Sequence, residues 1–71
     1  MKPGERIKEF RIGKGLKQID LKNSLGYSQG FISEIERGVK EPSRDFLIKL
    51  SEKYGISSDY VLYGSEDEQK K

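Results

Sequence analysis

The sequence predicts an all-α fold, a compact bundle of five helices that forms one small domain. Apolar residues recur three and four positions apart along the chain, and no segment alternates apolar and polar residues as a half-buried strand does. Glycine and serine stand between these segments, at the positions where helices end and begin. The 71 residues are close to the smallest number that builds a stable core without cross-links.

The composition excludes several kinds of site. The sequence has no cysteine and no histidine, which excludes disulfides, Cys/His metal sites and a Ser-His catalytic pair. Gly13-Lys14-Gly15 lacks the spacing of a phosphate-binding loop. No apolar run approaches the roughly 20 residues that span a membrane, and the start of the chain lacks the apolar core of a signal peptide. We therefore expect a cytoplasmic protein with no enzymatic activity, no cofactor and no bound metal.

The formal net charge of +2 is too small to indicate a nucleic-acid partner by itself, but the charge is unevenly distributed. Residues 1–17 include six basic and two acidic side chains, whereas residues 55–71 include two basic and four acidic ones. Charge runs of this kind are most often solvated helix faces, so a motif is needed to assign them a partner.

The first predicted helix spans residues 3–14. Pro3 suits the first turn of a helix, and Ile7 and Phe10 lie on one face of it. We expect Gly15 to adopt the left-handed conformation that ends the helix, after which Leu16 returns to the core.

The second and third predicted helices, residues 18–25 and 29–37, are short and nearly equal in length. Gly26 suits a sharp turn that needs a positive φ, and Ser28 is placed to cap the helix that follows. The spacing of the apolar residues, four positions in one helix and three in the other, gives each helix one buried face: Leu21, Leu25, Ile32 and Ile35. The pattern predicts a helix, a tight turn and a second helix around a shared core.

The fourth predicted helix spans residues 43–54, with Ser43 placed to cap it. Its apolar residues lie on one face or beside it: Phe46, Leu47, Leu50 and Tyr54. Gly55 ends this helix, and Ile56 re-enters the core.

A short fifth helix is predicted between Ser57, which caps it, and Gly64, which stops it. It contains Tyr60, Val61 and Leu62. Residues 65–71 contain no apolar anchor, and we expect them to form a charged, disordered tail.

These segments together resemble the phage-repressor and Cro-like (xenobiotic-response-element type) helix-turn-helix family of DNA-binding domains, which implies a lambda-repressor-like fold for residues 1–64. The motif occupies residues 18–38, and its matching positions keep the family's spacing: Gln18, Gly26, Ile32, Glu36, Arg37 and Gly38. RIKEFR before the motif also matches, as do the PS-x-x-x-L-x-x-L and GIS-x-D-x-x-L-x-G segments after it. The resemblance extends from about Glu5 to Gly64.

Two positions bear on how the motif packs. Arg11 lies close to the core face of the first helix, where an unpaired charge is costly. The resemblance implies that Arg11 pairs with Glu36 as a structural link; the competing interpretation places Arg11 on a DNA phosphate. Lys22 stands where the family usually has alanine, and we expect its methylene stem to follow the groove while its ammonium stays in water.

The outer arc of the third helix, the recognition helix at residues 28–37, is the predicted reading surface. Its N-terminal half is short, uncharged and amide-bearing, which suits close approach to a base edge. Gln29 can contact adenine N6 and N7 together, a contact worth about 1 to 3 kcal/mol of discrimination. We expect Gln18 to bond a phosphate and to brace the Gln29 amide. The full predicted DNA-binding set is Lys17, Gln18, Ser28, Gln29, Gly30, Phe31, Ser33, Glu34, Arg37, Lys40, Ser43 and Arg44.

Several members of this set have a second interpretation. Phe31 borders the core and either packs there or presses on a thymine methyl. Glu34 either accepts from cytosine N4 or is repelled by the DNA backbone. Lys40, Ser43 and Arg44, with the first amides of the fourth helix, are expected to bind phosphates and so set affinity and register.

The resemblance implies a homodimer that binds a two-fold symmetric site, and because Ser58 stands where a more apolar residue would help, we expect this dimer to be weak in the absence of DNA. The resemblance places the dimer contact at the fifth helix and the turn before it, at Ser58, Tyr60, Val61 and Tyr63. The most favoured function is a transcriptional repressor. Alternatives are an antitoxin with a toxin partner, a restriction-modification controller protein, the DNA-binding half of a longer repressor, or a protein-interaction module that no longer binds DNA. A protein effector is favoured over a metabolite because the core is too small for a ligand pocket.

Overall fold

The computed structural model describes residues 1–64, and these contain five α-helices and no strand. The helices are α1 (Pro3–Gly13), α2 (Gln18–Leu25), α3 (Gln29–Glu36), α4 (Arg44–Tyr54) and α5 (Ser58–Tyr63). The prediction of an all-α bundle of five helices is confirmed, and each helix lies within one residue of its predicted bounds. The predicted tail, residues 65–71, lies outside the described residues. No helix within residues 1–64 is long and apolar enough to cross a membrane.

Serine hydroxyls cap the N-termini of three of the helices, as the sequence predicts. Ser28 accepts from the Phe31 amide at 3.1 Å, Ser43 from the Phe46 amide at 3.1 Å and Ser57 from the Tyr60 amide at 3.2 Å. Each bond satisfies an amide that has no carbonyl partner in the first turn of a helix. The predicted starts of α3, α4 and α5 therefore have a direct physical cause.

The turn between α2 and α3 depends on Gly26. Its φ is 80°, in the left-handed region, and its amide bonds the Lys22 carbonyl at 3.0 Å. Side chains other than glycine's rarely adopt this conformation without strain. Only residues 26–28 separate α2 from α3, and after this turn α3 packs Ile32 and Ile35 into the same core as α2.

The core lies at the centre of the bundle, and every helix contributes to it. Its buried apolar residues are Ile7, Leu21, Leu25, Ile32, Ile35, Phe46, Leu47, Leu50, Ile56 and Val61. Phe10, Leu16, Tyr54 and Tyr60 pack against it while partly exposed. The predicted apolar faces of α2 and α3 are thus confirmed. Lys22 is exposed, which is consistent with its ammonium staying in water.

Helices α1 and α3 touch through their backbones. Gly4 is buried, and a Cβ built on it would lie 1.7 Å from the carbonyl oxygen of Ile35 in the last turn of α3. This distance is far shorter than any real contact, so only glycine permits the observed approach. The sequence does not indicate this role, since nothing near Gly4 marks it as a contact point.

Helix α5 packs against α1, and one side chain of α1 also hydrogen-bonds to it. Arg6 Nη1 donates to the carbonyl oxygen of Val61 at 2.8 Å, near the C-terminus of α5. Helices α3 and α4, by contrast, each pack more closely against α2 than against one another within the described residues. Side chains therefore set the relation between α3 and α4.

Candidate nucleic-acid interface

Helix α3 presents one face to the core and the other to solvent. Ile32 and Ile35 are fully buried, while Gln29 and Gly30, the first two residues of the helix, are exposed. The Ser28 cap fixes where the helix begins, so the Gln29 side chain projects from its first turn. An exposed amide at a helix start has the reach and the donor and acceptor atoms to read a base edge.

A buried ion pair fixes the other end of α3. Arg11 is 9% exposed and Glu36 only 4%. Arg11 Nε donates to Glu36 Oε2 at 2.7 Å and Nη2 to Oε1 at 3.0 Å, while Nη1 donates to the Leu16 carbonyl at 2.8 Å. The structural interpretation of this pair is confirmed. The alternative, with Arg11 on a DNA phosphate, is wrong because all three guanidinium nitrogens bond within the protein.

Gln18 takes part in the same network. Its Nε2 donates to Glu36 Oε1 at 3.0 Å, so the first residue of α2 is bonded to the last residue of α3. In the free chain the Gln18 amide thus donates to Glu36, a charged acceptor within reach, and the expected brace of the Gln29 amide in a DNA complex stays a prediction. The phosphate contact expected of Gln18 stays a prediction.

An aromatic cluster lies beneath the start of α3. Tyr27 stacks on Phe31, with ring centroids 4.7 Å apart, and meets Phe46 edge-on at 5.3 Å. Phe31 also meets Phe46 edge-on, at 5.9 Å. The packing interpretation of Phe31 is confirmed, and its contact with a thymine methyl stays a prediction. Tyr27 was not among the predicted site residues.

The Tyr27 hydroxyl extends this cluster to the start of α4. It donates a hydrogen bond to Asp45, the second residue of α4. Asp45 Oδ2 also lies 3.4 Å from Lys49 Nζ, one helical turn later, and that Nζ lies 5.1 Å from the centroid of the Tyr27 ring. Three side chains thus contact one another in a closed set, which we call the Tyr27 link.

The charges of the link act on the pKa values within it. Partial burial, and then the hydrogen bond to Asp45, raise the pKa of Tyr27, with the Ser43 hydroxyl acting in the opposite direction. The Tyr27 hydroxyl lowers the pKa of the Asp45 carboxyl, and Lys49 lowers it further. Both shifts favour a phenol at Tyr27 and a carboxylate at Asp45 at neutral pH.

The charged residues on the outer arc of α3 have partners within the protein. Arg37 Nε donates to Ser33 Oγ at 3.3 Å, and Lys40 Nζ lies 3.8 Å from Glu34 Oε1 and 5.5 Å from the centroid of the Phe31 ring. These partners are exposed or partly exposed, so the contacts are weak and exchangeable. A phosphate or base that approaches this arc can replace them at little cost.

The remaining predicted phosphate ligands lie at two helix starts. Lys17 precedes α2 and is exposed, and Arg44 is the exposed first residue of α4. The Ser43 hydroxyl caps α4 by accepting from the Phe46 amide at 3.1 Å. Amides at a helix start carry partial positive charge and attract phosphate.

The structure changes the expected dimer surface. Val61 is fully buried in the monomer core, so the expectation that it offers apolar area to a partner is wrong. The reason is that α5 turns Val61 toward α1, and the exposed apolar side chains of this helix are Leu62, 37% exposed, and Tyr63, 66% exposed. Ser58 and Tyr60 are partly buried. Their role in a dimer stays a prediction.

Known proteins resemble this chain in sequence and in fold. A family model described as helix-turn-helix matches residues 7–61. The HTH-type transcriptional regulator ImmR of Bacillus subtilis is 37% identical over 71 residues, which is all of this chain and 55% of that protein. The HTH-type transcriptional regulator DicA of Escherichia coli is 36% identical over 66 residues, 93% of this chain and 49% of that protein. The chain spans about half the length of these curated relatives.

A solved structure shares the whole arrangement of helices. The P22 c2 repressor, crystallised in complex with a synthetic operator, superposes with a TM-score of 0.82 at 36% identity, over 90% of this chain and 97% of that one. The helix order and the angle between α2 and α3 are thus those of a known repressor domain.

Proposed function

This chain belongs to the helix-turn-helix family, and from that premise we propose that it is a sequence-specific DNA-binding transcriptional regulator, a repressor that occupies an operator and blocks polymerase. The observation that best supports the proposal is the exposed, uncharged start of α3, held between the Ser28 cap and the buried Arg11–Glu36 pair. A rigid helix with an exposed amide in its first turn fits the major groove.

Gln29 reads the operator in this proposal. Its amide binds N6 and N7 of an adenine, while the missing side chain at Gly30 lets the helix approach the base edges closely. A Cβ at Gly30 would meet nothing within 4 Å, so this glycine is not required by the fold. Phosphates are bound on either side, by Lys17 and Gln18 at the start of α2 and by Ser43 and Arg44 at the start of α4.

The operator is two-fold symmetric and is bound by two copies. One domain reads only a few base pairs, so two are needed for specificity, with half-site centres roughly 34 Å apart. The exposed apolar residues of α5, Leu62 and Tyr63, give only a small contact area. The dimer is therefore weak in the absence of DNA, with a dissociation constant above about 1 μM.

The proposal is tested by selection of bound sequences from random duplex DNA. Wild type should enrich a two-fold symmetric site, and Gln29→Ala should lose its preference at one adenine in each half while still binding DNA. Asn23→Ala is the matched control, since Asn23 is also an exposed amide but lies on α2 outside the predicted set. Enrichment of no sequence by wild type would overturn the proposal, as would a Gln29→Ala variant that selects the wild-type site.

The affinity for the selected site should also fall steeply with salt. Each phosphate contact contributes about −0.9 to the slope of log K against log salt concentration. A slope near zero would contradict phosphate binding at the starts of α2 and α4.

A further inference from the structure

The start of α3 and the start of α4 are joined by side chains that the proposed function does not yet use. Tyr27 directly precedes the Ser28 cap of α3, and Asp45 lies two residues after the Ser43 cap of α4. Their hydrogen bond therefore connects the helix start that presents Gln29 to the helix start that presents Arg44. The first is proposed to read bases and the second to bind a phosphate.

The backbone does little to fix the distance between these two helix starts. Helices α3 and α4 each pack more closely on α2 than on one another, and a seven-residue stretch, residues 37–43, connects them. Tyr27 and Phe31 each meet the Phe46 ring edge-on in the space between them, and because apolar burial is non-directional it resists sliding of the two helix starts only weakly. A directional bond at the edge of the aromatic cluster restricts such sliding.

The Tyr27 link provides that directional bond. Its hydroxyl donates to Asp45, Asp45 is paired with Lys49 at 3.4 Å, and Lys49 lies over the Tyr27 ring at 5.1 Å. Each group restrains the other two, and the ring itself is restrained by Phe31 and Phe46. We propose that Tyr27, Asp45 and Lys49 act as positioning residues that keep base reading by α3 in register with phosphate binding by α4.

This inference rests on the proposed function and adds a consequence for specificity. A specific complex must satisfy base and phosphate contacts at the same time, whereas a non-specific complex needs phosphates alone and tolerates a shifted α4. Loss of the link should therefore weaken binding to the selected site more than binding to other DNA. The link touches neither bases nor phosphates in this account; it acts through the two helix starts.

Tyr27→Phe is the sharpest test because it removes the hydroxyl and keeps the ring in the aromatic cluster. Dissociation constants are measured for the duplex that wild type selects and for a scrambled duplex of the same length and composition. We expect the variant to lower affinity for the selected duplex by about three- to tenfold, the usual net effect of losing one hydrogen bond. Affinity for the scrambled duplex should stay within about twofold of the wild-type affinity. The specificity ratio, which is the affinity for the selected duplex divided by that for the scrambled duplex, should therefore fall.

Tyr54→Phe is the matched control. The Tyr54 hydroxyl bonds Ser24 Oγ at 2.6 Å and so joins α4 to α2, away from both helix starts. The Tyr54→Phe variant should have a lower melting temperature than wild type but the same specificity ratio. If Tyr27→Phe lowers the affinity for both duplexes by the same factor, or leaves both affinities unchanged, the link has no positioning role.

Asp45→Asn supplies a second variant with an opposite effect on absolute affinity. Removing this negative charge near the proposed phosphate site should strengthen binding to both duplexes, yet the specificity ratio should fall as it does for Tyr27→Phe. The double variant should show no further fall, since both changes break one link. If the double variant lowered the specificity ratio by the product of the two single effects, Tyr27 and Asp45 would not act through one link. If wild type binds both duplexes alike, the proposed function fails as well; if wild type discriminates and Tyr27→Phe discriminates equally, only the link fails.

Discussion

Arg11 and Glu36 form a two-pronged ion pair that joins the last turns of α1 and α3, with N–O distances of 2.7 and 3.0 Å. Both residues are at least nine-tenths buried, and the Gln18 amide adds a third bond to the carboxylate. A buried charge is tolerated only when its partners are all in place.

Glu36→Ala should therefore destabilise the domain strongly. The variant leaves the Arg11 guanidinium buried without its counter-ion, which costs about 3 to 5 kcal/mol. Urea denaturation followed by circular dichroism measures the free energy of unfolding. The control is Glu52→Ala on α4, an exposed carboxylate, which should change stability by less than about 0.5 kcal/mol. If Glu36→Ala lowered the free energy of unfolding by no more than this control does, the Arg11–Glu36 pair would add nothing to the stability of the fold.

Gly4→Ala should also destabilise the domain, for a steric reason. The added methyl would lie 1.7 Å from the Ile35 carbonyl oxygen, so α1 must move away from α3, at a cost of about 3 kcal/mol or more. Gly13→Ala, in the same helix, is the matched control because a Cβ there meets nothing within 4 Å. It should stabilise the domain by about 0.4 to 1 kcal/mol. The two melting temperatures should thus move in opposite directions, and a shared direction would contradict the observed contact between the helices.

Changes at Ser28 should separate folding from DNA binding. Ser28→Ala removes the hydroxyl that caps α3 and should cost about 1 kcal/mol of stability. Ser28→Asp restores a capping oxygen and should recover that stability, but it places a negative charge at the proposed DNA surface. Its affinity for any duplex should fall at low salt and approach that of wild type as salt rises. Equal binding by Ser28→Asp and wild type at low salt would place the DNA surface elsewhere.

The Tyr27 link should give stability a specific pH dependence. The pKa of Asp45 is lower in the folded chain than in the unfolded chain, so the ionised carboxylate stabilises the fold. This stabilisation is fully present above about pH 4 and is lost as the pH falls through the pKa of Asp45 in the folded chain. The pKa of Tyr27 is raised, so its contribution is present below about pH 10 and is lost as pH rises further. The stability advantage of wild type over Tyr27→Phe should be constant between these limits and shrink on both sides. Urea midpoints for both proteins at pH 3, 7 and above 10 check this, and a pH-independent difference would mean that no bond to Asp45 exists.

The helices and their ends could be predicted because their causes are local. Serine caps act on an amide three residues away, and the turn at Gly26 needs only its own φ. Arg11 and Glu36 are 25 positions apart, so no local pattern predicts that they pair. The prediction followed from the resemblance to a family. The core position of Arg11 alone indicated only that this arginine needs some partner.

The contacts that were missed depend on how helices cross. The roles of Gly4 and Tyr27 appear only once α1, α3 and α4 have their final angles, and no spacing in the sequence encodes those angles. Val61 was misjudged for a different reason. Helix α5 has six residues, which is too short for a repeat to show which side faces inward. The bond from Gln18 to Glu36 was missed because the two residues are 18 positions apart and lie on different helices.

The bond between Arg6 and the Val61 carbonyl spans 55 positions and has a consequence for synthesis of the protein. As the chain leaves the ribosome, α1 emerges first and must wait for nearly the whole domain before its last partner arrives. The helix-turn-helix in between can form earlier, since its contacts are close in sequence. Helix α5 closes the core with Val61, so the core of a newly made chain is complete only when α5 has emerged.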